Sequence, residues 1–232
     1  MKASVEFEAQ RVPSIPRYLQ EVYWWAYVHP NAVQVFEREW LVNLILFNNY
    51  GRLRDAALAE MGDTVHGRTL QVACVYGDLT PRLQQRLAPN ARLDVLDILP
   101  VQLENLARKL PPDDRVSLLH GDSSDLAGED ARYDQVLLFF LLHEQPEAVR
   151  RSTLAEALRV VRPGGKVVIV DYHRPAAWHP LRPLVRLVFQ RLEPYAMDLW
   201  RHGVDAFLPH APARIGKQIY FGGLYQKLVL VR

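Results

Sequence analysis

Two apolar runs in this 232-residue chain stop at residues that can move protons. Val136 to Leu142 is followed by His143 and Glu144, and Val167 to Val170 is followed by Asp171, Tyr172 and His173. A histidine titrates near neutrality and can pass a proton during a substitution. His143 is therefore the acid–base candidate, with Tyr172 as a second catalytic candidate. Glu144 can orient His143 or share a divalent metal with it. The competing reading of His143 is a core histidine with satisfied hydrogen bonds.

A second set of polar residues follows earlier apolar runs. Thr69 to Val75 leads into Tyr76-Gly77-Asp78, Arg92 to Asp97 ends in an acid, and Arg115 to Leu119 leads into His120-Gly121-Asp122-Ser123. Asp97 stands twenty residues after Gly77, a spacing at which a carboxylate accepts hydrogen bonds from ribose hydroxyls. Asp122 can accept one from the exocyclic amine of an adenine. The nucleotide-type set is Val75, Tyr76, Gly77, Asp97, Ile98, Asp122 and Ser123. Helix capping and turn formation are the competing roles for these acids. A dinucleotide needs a glycine-rich loop for its pyrophosphate, and here Gly77 is flanked by Tyr76 and Asp78. Carboxylates repel a pyrophosphate but welcome the sulfonium and ammonium of S-adenosylmethionine.

Elements that position such groups can be read from periodicity. From residue 68 to 171, buried-type strands alternate with helices over Leu79 to Leu87 and Val101 to Leu110. A further charged helix is closed by Arg162-Pro163-Gly164-Gly165. That alternation predicts an α/β fold with a doubly wound, mostly parallel sheet, whose carboxyl ends gather ligand sites. Gly222-Gly223 between two β-rich runs predicts a C-terminal antiparallel hairpin. Residues 1–65 read as an aromatic helical lid, with one helix over Tyr18 to Tyr27 and another through Val33, Phe36, Trp40, Leu44 and Phe47. Residues 66–232 form the main domain, with a helical insertion over 176–214.

Composition excludes several classes. The net charge is +2 with 49% hydrophobic and 23% charged residues, and no Lys/Arg cluster tracks phosphates, so no nucleic-acid partner is expected. The single cysteine, Cys74, suits a reducing compartment. The first residues lack a signal-peptide core, and no apolar run reaches spanning length. A cytoplasmic protein is expected.

Residues 68–171 resemble the class I S-adenosylmethionine-dependent methyltransferase domain through the order of Asp97, Asp122 and Arg162-Pro-Gly-Gly. That family carries an acid followed by Gly-x-Gly-x-Gly. Here Gln71 takes the acid position, and Ala73, Val75 and Gly77 take the glycine positions. Over nearly its full length the chain is similar to the methyltransferase-like proteins of rhodoquinone biosynthesis. Ile15 to Tyr27, Val42 to Leu46 and Val75-Tyr-Gly-Asp-Leu79 carry that resemblance. It implies conversion of ubiquinone to rhodoquinone, with a ring methoxy replaced by an amino group from S-adenosylmethionine and manganese assisting. Oxygen and imidazole ligands suit manganese, but no spacing assigns its site. The alternatives are methyl transfer to a quinone or phenol, and a non-catalytic binding module.

A polyprenyl quinone lives in the bilayer, so the enzyme must reach a membrane. Over 181–195, Leu181, Leu184, Val185, Val188, Phe189 and Leu192 share one helical face, with Arg182, Arg186 and Arg191 beside it. That pattern fits an interfacial anchor at the inner membrane, or a helix packed on the core. Tyr18, Tyr23, Trp24 and Tyr27 are the candidates to line a quinone slot.

Overall fold

The computed structural model describes residues 14–23, 37–74 and 76–232. Seven strands make one sheet: β1 (Arg68–Val72), β2 (Arg92–Asp97), β3 (Val116–His120), β4 (Tyr133–Phe139), β5 (Val161–Tyr172), β6 (Arg214–Tyr220) and β7 (Tyr225–Val231). Their order is β3-β2-β1-β4-β5-β7-β6. β1 to β5 run parallel, and β7 lies antiparallel between β5 and β6. The doubly wound sheet and the C-terminal hairpin match the expected fold class.

Central strands buried on both faces read as continuous apolar runs, and each face here has its own core. Leu137, Phe139, Val168 and Val170 point to one face with Leu53 and Leu58 of α3 (Tyr50–Met61) and Leu79 and Leu83 of α4 (Leu79–Gln85). Leu106 of α5 (Pro100–Lys109) joins them. Val136, Leu138, Val167 and Ile169 point to the other, against Leu154, Ala157 and Leu158 of α6 (Glu147–Val160). The insertion holds α7 (Arg182–Leu192), with Pro183 in its first turn, and α8 (Ala196–His202). Val185 and Phe189 of α7 join the first core, so one edge of its apolar face packs inward.

Of the N-terminal stretch, the short helices α1 (Arg17–Val22) and α2 (Glu39–Ile45) are described. Trp24, Trp25, Tyr27, Val33 and Phe36 lie outside the described residues. α3 falls inside residues 1–65, yet its apolar face belongs to the sheet core.

Two boundaries differ from the sequence reading, each for a backbone reason. β1 stops at Val72 because Ala73 turns the chain at φ +72°. This is a left-handed conformation in the first of the glycine positions. Arg162-Pro163-Gly164-Gly165 does not cap α6 but lies within β5. There the register on β4 slips, from Tyr133 opposite Val161 to Gln135 opposite Lys166. Gly164, at φ +76°, donates its N–H to Arg232 O at 2.8 Å and so ties this bulge to the chain end.

The β1–α4 loop is filled from below by α3. The Tyr50 hydroxyl accepts the N–H groups of Asp78 (2.9 Å) and Leu79 (3.1 Å), satisfying donors at the start of α4. Gly77 sits at φ +86° with its open side against the Tyr50 ring. Gly77→Ala therefore combines a left-handed penalty with an overlap, and should lower unfolding free energy by roughly 2 kcal/mol. Urea unfolding checks this; an unchanged midpoint would contradict it.

Candidate active site

The carboxyl ends of β1, β2, β4 and β5 open into a cavity of about 470 Å³, roofed by α1, α2 and α7. One end of it is polar. Asp97 is buried there and accepts the N–H groups of Cys74 (2.6 Å) and Leu99 (2.8 Å). Burial raises its pKa to about 6 against those hydrogen bonds. Ile98, Asp122 and Ser123 line the same corner. Asp122 also performs the turn role, since its Oδ1 accepts from Ser124 N (2.8 Å) and Oγ (2.7 Å). Ser123 is tied to α6 through Thr153 Oγ1 at 2.9 Å. Tyr76 lines the wall and its hydroxyl accepts from Gln102 at 2.9 Å. Val75 lies outside the described residues.

Gly77 is turned away from the cavity. Its N–H donates to Glu37 Oε1 (3.1 Å), which also receives Lys109 Nζ (2.8 Å), while Glu37 Oε2 accepts from Asn105 (2.6 Å). Gln71, in the acid position, is also turned away. It exchanges hydrogen bonds with Thr80 (2.9 and 3.1 Å) and donates to Ala73 O (3.1 Å). Below the loop, Arg54 is buried and grips Asp78 at 2.7 Å. The α4 N-terminus is thus occupied by protein side chains.

The other end of the cavity is apolar and aromatic. Phe140 and Tyr172 line it with Val42 and Leu46, whereas Tyr18 and Tyr23 pack with Ile98 and Leu99 beside the polar corner. Tyr18 meets Tyr195 edge-on at 6.3 Å. Trp24 and Tyr27, expected beside them, lie outside the described residues.

His143 stands where the two ends meet, in the tight turn Leu142–Glu144 after β4. Its Nδ1 lies 2.9 Å from Asp171 Oδ1, and Asp171 is itself held by the N–H groups of Leu142 (2.8 Å) and Tyr172 (2.7 Å). Its Nε2 lies 3.2 Å from Glu193 Oε2 and 3.7 Å from Glu144 Oε1. Burial works against the imidazolium, but Asp171, Glu193 and Glu144 together outweigh it and raise the pKa to about 9. This balance favours the imidazolium at neutral pH. Tyr172 meets it edge-on at 4.9 Å, and burial pushes its phenol well above the usual range. Tyr172 is thus a neutral wall of the site.

Arg150 of α6 is fully buried. It donates to Leu142 O, Gln145 O and Tyr195 O at 2.8–2.9 Å, fastening the His143 turn to the insertion. Glu193, Arg150, Glu37 and Tyr50 were not read from the sequence. Glu193 lies in the 181–195 segment, whose helical pattern points to an interfacial anchor or to packing on the core, and the others carry no spacing signal. Among the described residues no three His, Cys, Asp or Glu side chains converge as a metal site. The manganese implied by the family resemblance thus finds no donor set among the described residues.

Residues 69–165 match a methyltransferase domain family. The chain is 30% identical over 148 residues to a demethylmenaquinone methyltransferase of Staphylococcus aureus, an alignment covering 64% of this chain and 60% of that protein. Among solved structures, a SAM dependent methyltransferase from Aquifex aeolicus superposes with a TM-score of 0.57 at 18% identity, over 87% of this chain and 97% of that one. The N-methyltransferase NodS from Bradyrhizobium japonicum in complex with S-adenosyl-L-homocysteine does so at 0.57 and 11%, over 93% and 98%. These two likenesses support the methyltransferase-type fold.

The His143–Asp171 contact holds a charge inside the protein. The folded imidazole titrates above its unfolded value of about 6.5. Its charge therefore stabilises the fold fully below that pH, and the contribution is lost as pH rises through about 9. Asp171→Asn should cost about 3 kcal/mol at pH 7 by stranding the imidazolium, and distinctly less at pH 10. Urea unfolding of both proteins at both pH values checks this. A gap that does not narrow at high pH would contradict it.

Proposed function

We propose that this chain is a S-adenosylmethionine-using enzyme that replaces a ring methoxy of a ubiquinone-type lipid by an amino group. The observation that carries this is one continuous cavity lined together by Asp97 and Asp122, by the aromatic rings of Tyr18, Tyr23, Phe140 and Tyr172, and by His143. Asp97, Ile98, Asp122 and Ser123 would hold the nucleoside. The surplus of carboxylates around His143 suits a ligand bearing a sulfonium and an amine. When bound, S-adenosylmethionine would supply the amino nitrogen.

Two features favour amino over methyl transfer. Gln71 is neutral and turned from the cavity, so no carboxylate at the usual position ties down the amine. His143 is held cationic, which suits donating a proton to a departing alkoxide and ill suits deprotonating a phenol. Methyl transfer to a quinone ring is the second reading, supported by the similarity to a demethylmenaquinone methyltransferase. Incubating the protein with short-tail ubiquinone and S-adenosylmethionine, with and without manganese, separates the two by product mass. The expected product loses methoxy and gains an amine. A product that gains only a methyl group would overturn the amino-transfer reading.

A lipid substrate calls for a route from the bilayer. No described helix is long and apolar enough to cross a membrane. α7 instead exposes Leu184 (49%) and Leu187 (50%), and α2 exposes Trp40 (60%) and Leu44 (65%). Ile45 and Val188, one helical turn or less away, line the cavity. α7 carries three arginines and no acid between Arg182 and Leu192, which suits peripheral docking on an anionic surface. Pelleting with anionic liposomes is expected. The double substitution Leu184→Glu with Leu187→Glu should lower the bound fraction at least about tenfold; equal pelleting of variant and wild type would contradict the docking face.

A further inference from the structure

His143 has a proton to donate to the leaving group, and the attacking amine must lose a proton to a second group. Glu193 is placed to receive it. It follows α7 and lines the cavity with His143. Its Oε2 lies 3.2 Å from His143 Nε2. It is close enough to pair, but not aligned as a hydrogen bond. That oxygen is shielded from solvent and has no hydrogen-bond partner among the described residues. A buried carboxylate oxygen left open at a cavity wall costs free energy unless a donor comes to it.

The neighbouring acids are less suited. Asp171 is fully buried behind the imidazole, and its oxygens already accept from His143, Leu142 N and Tyr172 N. Glu144 stands farther from Nε2, at 3.7 Å. With Nδ1 committed to Asp171, Nε2 is the ring atom left for proton traffic.

We propose that Glu193 and His143 work as a coupled proton pair: Glu193 takes the proton lost by the attacking amine, and His143 gives its Nε2 proton to the departing methoxy oxygen. This rests on the amino-for-methoxy reading. The nitrogen lone pair forms the bond to the ring carbon, and the ring carbon–oxygen bond breaks with its electron pair on oxygen. Nitrogen loses one proton to Glu193. Oxygen gains one from His143 and leaves as methanol. Transfer of the proton from Glu193 Oε2 to His143 Nε2 then restores both groups, and nothing is oxidised or reduced in this substitution. Its product is the quinone joined through nitrogen to the methionyl α-carbon. That nitrogen–carbon bond breaks afterwards: the α-carbon loses its proton, the quinone ring takes the electron pair and becomes the hydroquinone, and water hydrolyses the resulting imine to an α-keto acid and the free amine. Burial, reinforced by Asp171 and opposed by His143, raises the Glu193 pKa and makes it a stronger base than a solvated carboxylate. The other groups facing the pair are Asp171 and Tyr172 from β5, Glu144 from the turn after β4, Tyr23 from the N-terminal segment and Arg150 from α6.

The test uses the full chain, short-tail ubiquinone and S-adenosylmethionine, with aminoquinone measured from pH 5.5 to 10.5. Wild type should give a bell, its acid limb from Glu193 and its alkaline limb from His143 near pH 9. Glu193→Gln should lower kcat roughly 10²- to 10⁴-fold and erase the acid limb, while S-adenosylmethionine affinity by calorimetry stays within about threefold. Glu193→Asp should restore part of the rate with a displaced acid limb. It also serves if Glu193→Gln does not fold. If wild type makes aminoquinone and either variant keeps the wild-type rate and profile, the proton pair is wrong and the function stands. If wild type makes only methylated quinone, the functional reading falls and takes the pair with it.

Discussion

A single imidazole ring enclosed by three carboxylates organises the functional end of this sheet. An uncompensated buried charge costs several kcal/mol, so His143 can sit behind its aromatic wall only because its counter-charges are built in. Asp171 is rigid, locked by two backbone N–H groups. Glu193 comes from the far side, carried on the insertion. The two acids belong to different structural layers, so one of the three counter-charges of the imidazole comes with the docked insertion. Arg150 explains why it docks there: three carbonyls, two from the His143 turn and one from Tyr195, converge on one buried guanidinium.

The β1–α4 loop shows a second constraint. In a glycine-rich version, backbone N–H groups at a helix N-terminus are offered to a ligand. Here the Tyr50 hydroxyl and Glu37 take those groups, and the Arg54–Asp78 pair braces the loop from below. The loop has become a packed floor, and the proposed function gives recognition to Asp97, the Asp122 turn and the carboxylates around His143. Ala73 keeps the left-handed turn of a glycine without the glycine, at a cost on the order of 1 kcal/mol.

Much of the fold was legible because central parallel strands leave a coarse signal. Runs such as Val136 to Phe139 are apolar on both faces, and turn residues bracket them. The same logic located His143, Tyr172, Asp97 and Asp122, since residues after such runs fall at the carboxyl ends. What escaped has a common cause. The Pro163-Gly164-Gly165 bulge depends on pairing with the chain end at Arg232. Glu193 meets His143 across 50 positions of sequence, and Glu37 meets Lys109 across 72. Such contacts are set by packing and leave no local period. Gln71 could be read as a lost acid, but its turn toward Thr80 could not.

The charge state of His143 ties these points together. Titration of the imidazole by NMR, with ¹³C- or ¹⁵N-labelled histidine and His143→Gln for assignment, measures it in the free protein. Protonation retained at pH 8 with a midpoint near 9 is the predicted result. A midpoint at or below the ordinary value of about 6.5 would mean that the carboxylates do not hold a cation, and would contradict the account at its centre.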